Sequence, residues 1–148
     1  MLIFISPFEK GRVTDYFLNP GPLHTYESIL KSAVNEFSHI VTNSLNNNIL
    51  IWLNEGISLF EAKQINPLQI KQLIKTDRVP IIEKLENNFY NNFGYTVSGT
   101  LVEYIVSDYG YDILVSLIKQ PKKFQSIFGV NKKEFSNNWK SYLIKQYE

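Results

Sequence analysis

Cysteine is absent from the 148 residues. Its absence excludes disulfide staples and thiolate metal sites and leaves histidine and carboxylates as the side chains able to hold a metal. Histidine is itself scarce, with only His24 and His39. No stretch approaches the ~18 consecutive apolar residues of a membrane span. The apolar start, Met1 to Phe8, has no basic region and meets Pro7 before a signal-peptide core could form, so it reads as a strand and leaves the compartment open. Charge of one sign is also missing. A formal net charge of +1 gives no global pull towards nucleic acid or a membrane surface. Lys119, Lys122, Lys123, Lys132, Lys133, Lys140 and Lys145 crowd the C-terminal end, but without the Arg and Gly-aromatic patterning of nucleic-acid modules. They read as a solvated helical surface, and nucleic acid is not an expected partner.

What is present suits one domain, since a chain of this length buries roughly two-thirds of its unfolded surface. Leu2-Ile3-Phe4-Ile5 and Arg12 to Leu18 read as two strands joined at Phe8-Glu9-Lys10-Gly11. A two-stranded hairpin is marginal alone, so these strands must lean on helices or belong to a larger sheet. Asn19-Pro20-Gly21-Pro22 breaks the chain, and from about Thr25 the period becomes helical. Ile29, Leu30, Ala33, Val34, Phe37, Ile40, Val41 and Leu45 form a broad apolar stripe; Ser28, Ser32, Asn35, Glu36, His39 and Asn43 form the polar strip. That strip could line a cleft or face water, and by pattern alone it faces water.

Asn46-Asn47-Asn48 closes this first helix. A second is predicted from about Leu50 to Gln64, with Gly56 inside it, a costly residue there unless another backbone comes close. Asn66-Pro67 opens a short helix to about Lys75. Val79-Pro80 starts another, ending in the Asn-rich loop Asn87 to Gly94. Helices follow over Thr96 to Tyr109, around Ile113 to Ile118, from Pro121 through Phe128, and from Asn131 to about Tyr147. No repeat, linker or low-complexity run marks a boundary. The expected class is mainly α (α+β), a single domain over residues 1–148 with a short N-terminal hairpin or sheet remnant.

The chemistry sits in Asn35-Glu36-Phe37-Ser38-His39. On a helix, residues 35 and 39 share a face and Glu36 lies one step around. This is the layout of HExxH, in which two His bind zinc and the Glu activates water, with Asn in place of the first His. Trp52-Leu53-Asn54-Glu55-Gly56 follows, with Glu55 on the next predicted helix as a possible carboxylate ligand.

Together with Phe60-Glu61, these segments resemble the active-site region of the gluzincin zinc metallopeptidases, and most of all the bacterial peptidase-MA-like domains related to zinc aminopeptidases. Tyr95-Thr96-Val97-Ser98, Val102-Glu103-Tyr104-Ile105, Asp108-Tyr109-Gly110 and the closing Phe135 to Leu143 resemble later helices of that family. The likeness covers about residues 25 to 147. It implies His39 as the second zinc ligand, Glu55 as the third, Glu36 as the general base and Tyr95 as a donor to the developing oxyanion. Zinc is the implied cofactor, and a peptide or protein in the cleft the implied partner.

Asn35 departs from the pattern. A neutral amide oxygen is a poor zinc donor, so two good ligands remain where a catalytic site uses three. The expected zinc is therefore absent or weakly bound. The aminopeptidases' acidic, Gly-containing loop is not visible either, and the upper lobe is short or truncated. The leading expectation is a pseudopeptidase that binds peptide or protein. The alternatives are an active or weakly active zinc peptidase, and a helical interaction domain with an accidental motif. His24, ~16 Å of helix from Asn35, is too far to replace the missing ligand. Trp52 and Trp139 are expected in the core, and Glu61 at the surface or behind the site.

Overall fold

The core is built by the segments after the first helix, and the first helix is laid against it. The structure, a computed structural model, describes residues 25–148; the predicted strands over Leu2–Ile5 and Arg12–Leu18, and His24, lie outside the described residues. Eight α-helices follow one another among the described residues: α1 (Tyr26–Leu45), α2 (Ile51–Glu61), α3 (Pro67–Lys75), α4 (Ile82–Asn87), α5 (Gly94–Tyr109), α6 (Tyr111–Lys119), α7 (Phe124–Phe128) and α8 (Lys132–Tyr147). Short 3₁₀ turns precede α5 and α7. No strand occurs among the described residues, so the protein is mainly α there.

Local chemistry sets these boundaries. The Thr25 hydroxyl accepts the Ser28 amide while the Ser28 hydroxyl accepts the Thr25 amide, a reciprocal cap that starts α1. Asn66 caps α3 with Pro67 in its first turn, and Asn131 caps α8 by accepting the Glu134 amide. Gly110, at φ 85°, lets the chain pass from α5 straight into α6. Asn46 closes α1, and its side-chain amide donates to the Ile118 carbonyl at 2.8 Å, tying the loop to α6.

The principal contact is α2 against α5, with α8, α3, α4, α6 and α7 arranged around that pair. Trp52, Leu53 and Ile57 of α2 meet Val97, Leu101, Val102 and Ile105 of α5 and Phe135, Trp139 and Leu143 of α8 in one hydrophobic core. Trp139 is fully buried and donates from Nε1 to the Thr100 hydroxyl at 3.2 Å, so its one polar atom is satisfied. Both tryptophans are core residues, as the sequence predicts.

No residue of α1 belongs to this core. The helix packs mainly on α2, with a slight touch on α6. Its amphipathic reading requires correction: Leu30 is 62% and Phe37 65% exposed, and Val34, Ile40, Val41 and Leu45 are exposed as well. Polar Ser38 and Thr42 are buried instead, and Asn35 and His39 are half-buried beside them. The reason is that α2 offers α1 hydrogen-bonding side chains rather than an apolar groove, because its own apolar residues are already engaged with α5 and α8. Ile29 is the exception, buried on α1 yet outside the core. Among the described residues, no helix is long and apolar enough to cross a membrane.

Candidate functional site

Gly56 governs how close α2 comes to α5. A Cβ at this position would lie 2.5 Å from the Ser98 carbonyl oxygen and 2.9 Å from Val102 Cγ2, so only glycine permits the approach. The glycine predicted to admit another backbone does so. Glu55, its neighbour, is thereby held at the edge of the α2–α5 contact with its side chain turned to α1.

There it meets His39. The His39 Nε2 and Glu55 Oε2 atoms are 3.8 Å apart, each side chain about one-quarter exposed or less. The orientation of the imidazole is set from behind: Nδ1 lies 3.1 Å from Asn54 Oδ1, an acceptor, so Nδ1 carries the proton. The Thr42 hydroxyl reaches the same Asn54 oxygen at 2.5 Å. In the neutral imidazole this leaves Nε2 unprotonated, 3.8 Å from the Glu55 carboxylate. Two electron-pair donors thus face one another, and an N–H anchored on a carbonyl oxygen is how metal-binding histidines are commonly held.

Asn35 lies one turn before His39 on α1, and its side-chain amide donates to Gln64 Oε1 at 3.1 Å. Its N–H₂ group is therefore engaged with the segment after α2, leaving a neutral oxygen as the only donor it could offer a cation. Glu36, beside it, is exposed.

Burial pushes the Glu55 carboxyl above the ordinary carboxylate range; the His39 ring opposes this, and the negative charge of Glu36 adds to it. The influence of Glu36 is felt at Glu55, so the three groups singled out on α1 and α2 form one electrostatic cluster.

Tyr95 stands on the first turn of α5 and is 53% exposed. Its phenol is raised above its usual value by desolvation and then by the charges of Glu55 and Tyr90. The ring packs edge-on against Phe89, centroids 5.0 Å apart, and lies 6.1 Å from the exposed Tyr90 ring. An aromatic rim therefore borders Glu55. The rim is anchored by Phe89, which packs on both tyrosines, and is followed by Phe93, a non-glycine residue in the left-handed region (φ 57°) over whose ring the Arg78 guanidinium sits at 4.7 Å. Gly94 follows because a Cβ there would collide with the Phe89 ring at 2.4 Å.

The donor set does not match a catalytic zinc site. Such a site takes three protein ligands, and no cluster of three His, Cys, Asp or Glu able to hold a metal occurs among the described residues. His39 and Glu55 supply two, and the corner of the motif that should supply the third carries the Gln64-bound amide of Asn35.

Glu61, at the end of α2, is exposed, the surface position being one of the two expected for it. The C-terminal lysines are largely at the surface; Lys132 is paired with Glu86 at 2.7 Å and Lys140 with Asp77 at 3.8 Å. Sequence reasoning missed Asn54, Thr42 and Gln64. Asn54 is adjacent to Glu55 and Thr42 three residues after His39, but uncharged hydrogen-bonding side chains give no periodic signal of their role.

Comparison with protein-family models, with curated proteins and with solved structures returns no match to this chain.

Proposed function

We propose that this is a gluzincin-like domain that has given up zinc-dependent hydrolysis and binds a peptide or protein segment along the polar surface that carries His39, Glu55 and Tyr95. The supporting observation is the approach of His39 Nε2 to Glu55 Oε2 at 3.8 Å with Nδ1 held by Asn54, while the remaining corner carries an amide. A carboxylate of raised proton affinity beside exposed tyrosines suits a backbone N–H or an amino group of an extended chain, with Tyr90 and Tyr95 giving apolar contact.

A second reading has its own observation behind it. The Asn54-held imidazole facing a carboxylate is a two-donor seat, and a divalent cation could occupy it weakly, which favours a residual or unconventional metallopeptidase.

The experiment uses the purified 148-residue chain and an Asn35→His variant, each assayed for zinc by elemental analysis and for cleavage of unstructured peptides. The expected result is neither stoichiometric zinc nor cleavage in the parent, and both in the variant. Adding Glu36→Gln to that variant should abolish cleavage with zinc retained. Zinc and cleavage in the parent would establish the second reading instead. If no variant takes up zinc, the gluzincin relationship fails.

A further inference from the structure

Arg78 and Lys84 line one hollow of about 330 Å³, together with Asp77, Asn91, Asn92 and Phe93. That volume lies at the lower end of the ~300–1,000 Å³ of small-ligand sites. Among the described residues neither cation has a carboxylate partner. Asp77, the one acid on the rim, lies 3.8 Å from Lys140 instead, its side chain 97% exposed. The Arg78 guanidinium rests over the Phe93 ring. An arginine can stack on a ring and still present its N–H edge to an acceptor, which an ammonium cannot do in the same way.

The walls of the hollow are tied to one another. Asn92 donates from Nδ2 to the Lys84 carbonyl at 3.1 Å and to the Asn88 carbonyl at 2.6 Å, so the 3₁₀ turn Tyr90–Asn92 is fixed to α4. Val79 and Pro80, both buried, anchor the segment that carries Arg78. A second hollow, of about 220 Å³, shares Arg78 and Phe93, but its other lining side chains are uncharged. The two cations therefore meet only in the first. What they select is an oxyanion with two oxygens in one plane, to match the guanidinium edge, and the carboxylate is the form of it that a peptide carries.

We infer that this hollow seats a carboxylate of the chain that lies along Tyr90 and Tyr95, either its C-terminal group or an acidic side chain. Arg78 is the two-pronged donor and Lys84 the second charge. One turn serves both places: the Tyr90 ring packs towards Phe89 and Tyr95, while Asn91, Asn92 and Phe93 line the hollow. The seat stands on this geometry; that its guest belongs to a docked peptide rests on the peptide-binding reading.

Nitrogen-15 NMR of the 148-residue chain tests the seat directly. At constant ionic strength, with chloride as the background anion, N-acetylglycine should shift the amides of Arg78, Lys84, Asn91 and Asn92 saturably, and N-acetylglycinamide should not. Arg78→Gln should weaken binding about tenfold or more, because a charge-assisted bidentate contact is lost. Lys84→Gln should weaken it about threefold, as for a single exposed charge. Both side chains are exposed, so each variant is expected to fold. No saturable shift in the parent, an equal response to the amide, or a stronger one to inorganic phosphate would overturn the carboxylate seat.

An acetylated hexapeptide of alanine and leucine separates the seat from the reading beneath it. As a free acid, or as an amide with one internal glutamate, it should bind about tenfold tighter than the plain amide and shift Tyr90 and Tyr95 as well. Whichever form gains affinity names the source of the carboxylate. Shifts at Tyr90 and Tyr95 that are equal for all three forms would overturn the seat and leave the peptide reading standing. Shifts at Arg78 and Lys84 with N-acetylglycine, but none at Tyr90 and Tyr95 with any peptide, would keep the seat and refute the docked chain.

Discussion

Gly56 and the Ser98 carbonyl stand so close that a methyl group on the glycine would lie 2.5 Å from that oxygen. The oxygen belongs to the backbone of α5 and cannot swing away as a side chain would. Gly56→Ala would improve helix propensity by ~1 kcal/mol. Against that stands an overpacking cost of typically ~1–3 kcal/mol, expected here at its upper end or beyond because the opposing atom is main chain. A net loss of at least ~1 kcal/mol is therefore expected in urea unfolding. A neutral or stabilising result would mean that the helices separate freely and that Glu55 is not held by this contact.

Glu55 should make the fold less stable at neutral pH. Burial raises its proton affinity in the folded state, so folding favours the protonated form. Its stabilising contribution is complete below the ordinary carboxylate range, near pH ~4.3, and is lost as the pH rises through its folded pKa. Glu55→Gln should accordingly raise the melting temperature at pH 7, with the gain shrinking to nothing in acid. A gain of equal size at both pH values would point to packing rather than charge.

Asn54 should decide which nitrogen of His39 carries the proton. Nitrogen NMR on neutral protein should find the Nδ1–H tautomer, and Asn54→Leu should shift the population towards Nε2–H. The lost hydrogen bond should cost ~0.5–1.5 kcal/mol. An unchanged tautomer in the variant would show that the ring takes its orientation from elsewhere.

Trp52 is 1% exposed at the centre of the α2–α5–α8 core. Trp52→Ala should cost roughly 3–5 kcal/mol, read by denaturant unfolding. A loss below ~1 kcal/mol would be incompatible with a core position.

The succession of helices was legible because caps and breakers are local signals. Asn66-Pro67, Asn131 and Gly110 each fall at the boundary that their backbone chemistry predicts. The convergence of residues 39 and 55 was legible from spacing and resemblance. The orientation of α1 was not. Hydrophobic periodicity assumes that a helix turns its apolar side to the core, yet α1 meets Asn54 and Gln64 through His39, Thr42 and Asn35. These are pairings between side chains far apart in sequence, and no pattern within either helix announces them. The second 3₁₀ turn, at Pro121–Lys123, was read as part of a longer helix because Pro favours the first turn of both.

Arg78 over the Phe93 ring has a consequence for whatever meets this surface. Phe93 takes up a left-handed backbone that a large side chain adopts only at some cost, and the guanidinium lies against its ring. On the proposed peptide-binding reading, a chain docking beside Tyr90 and Tyr95 would surrender its own disorder to a shelf already packed on Phe89. Recognition here would be that of a mould rather than of a hand that closes.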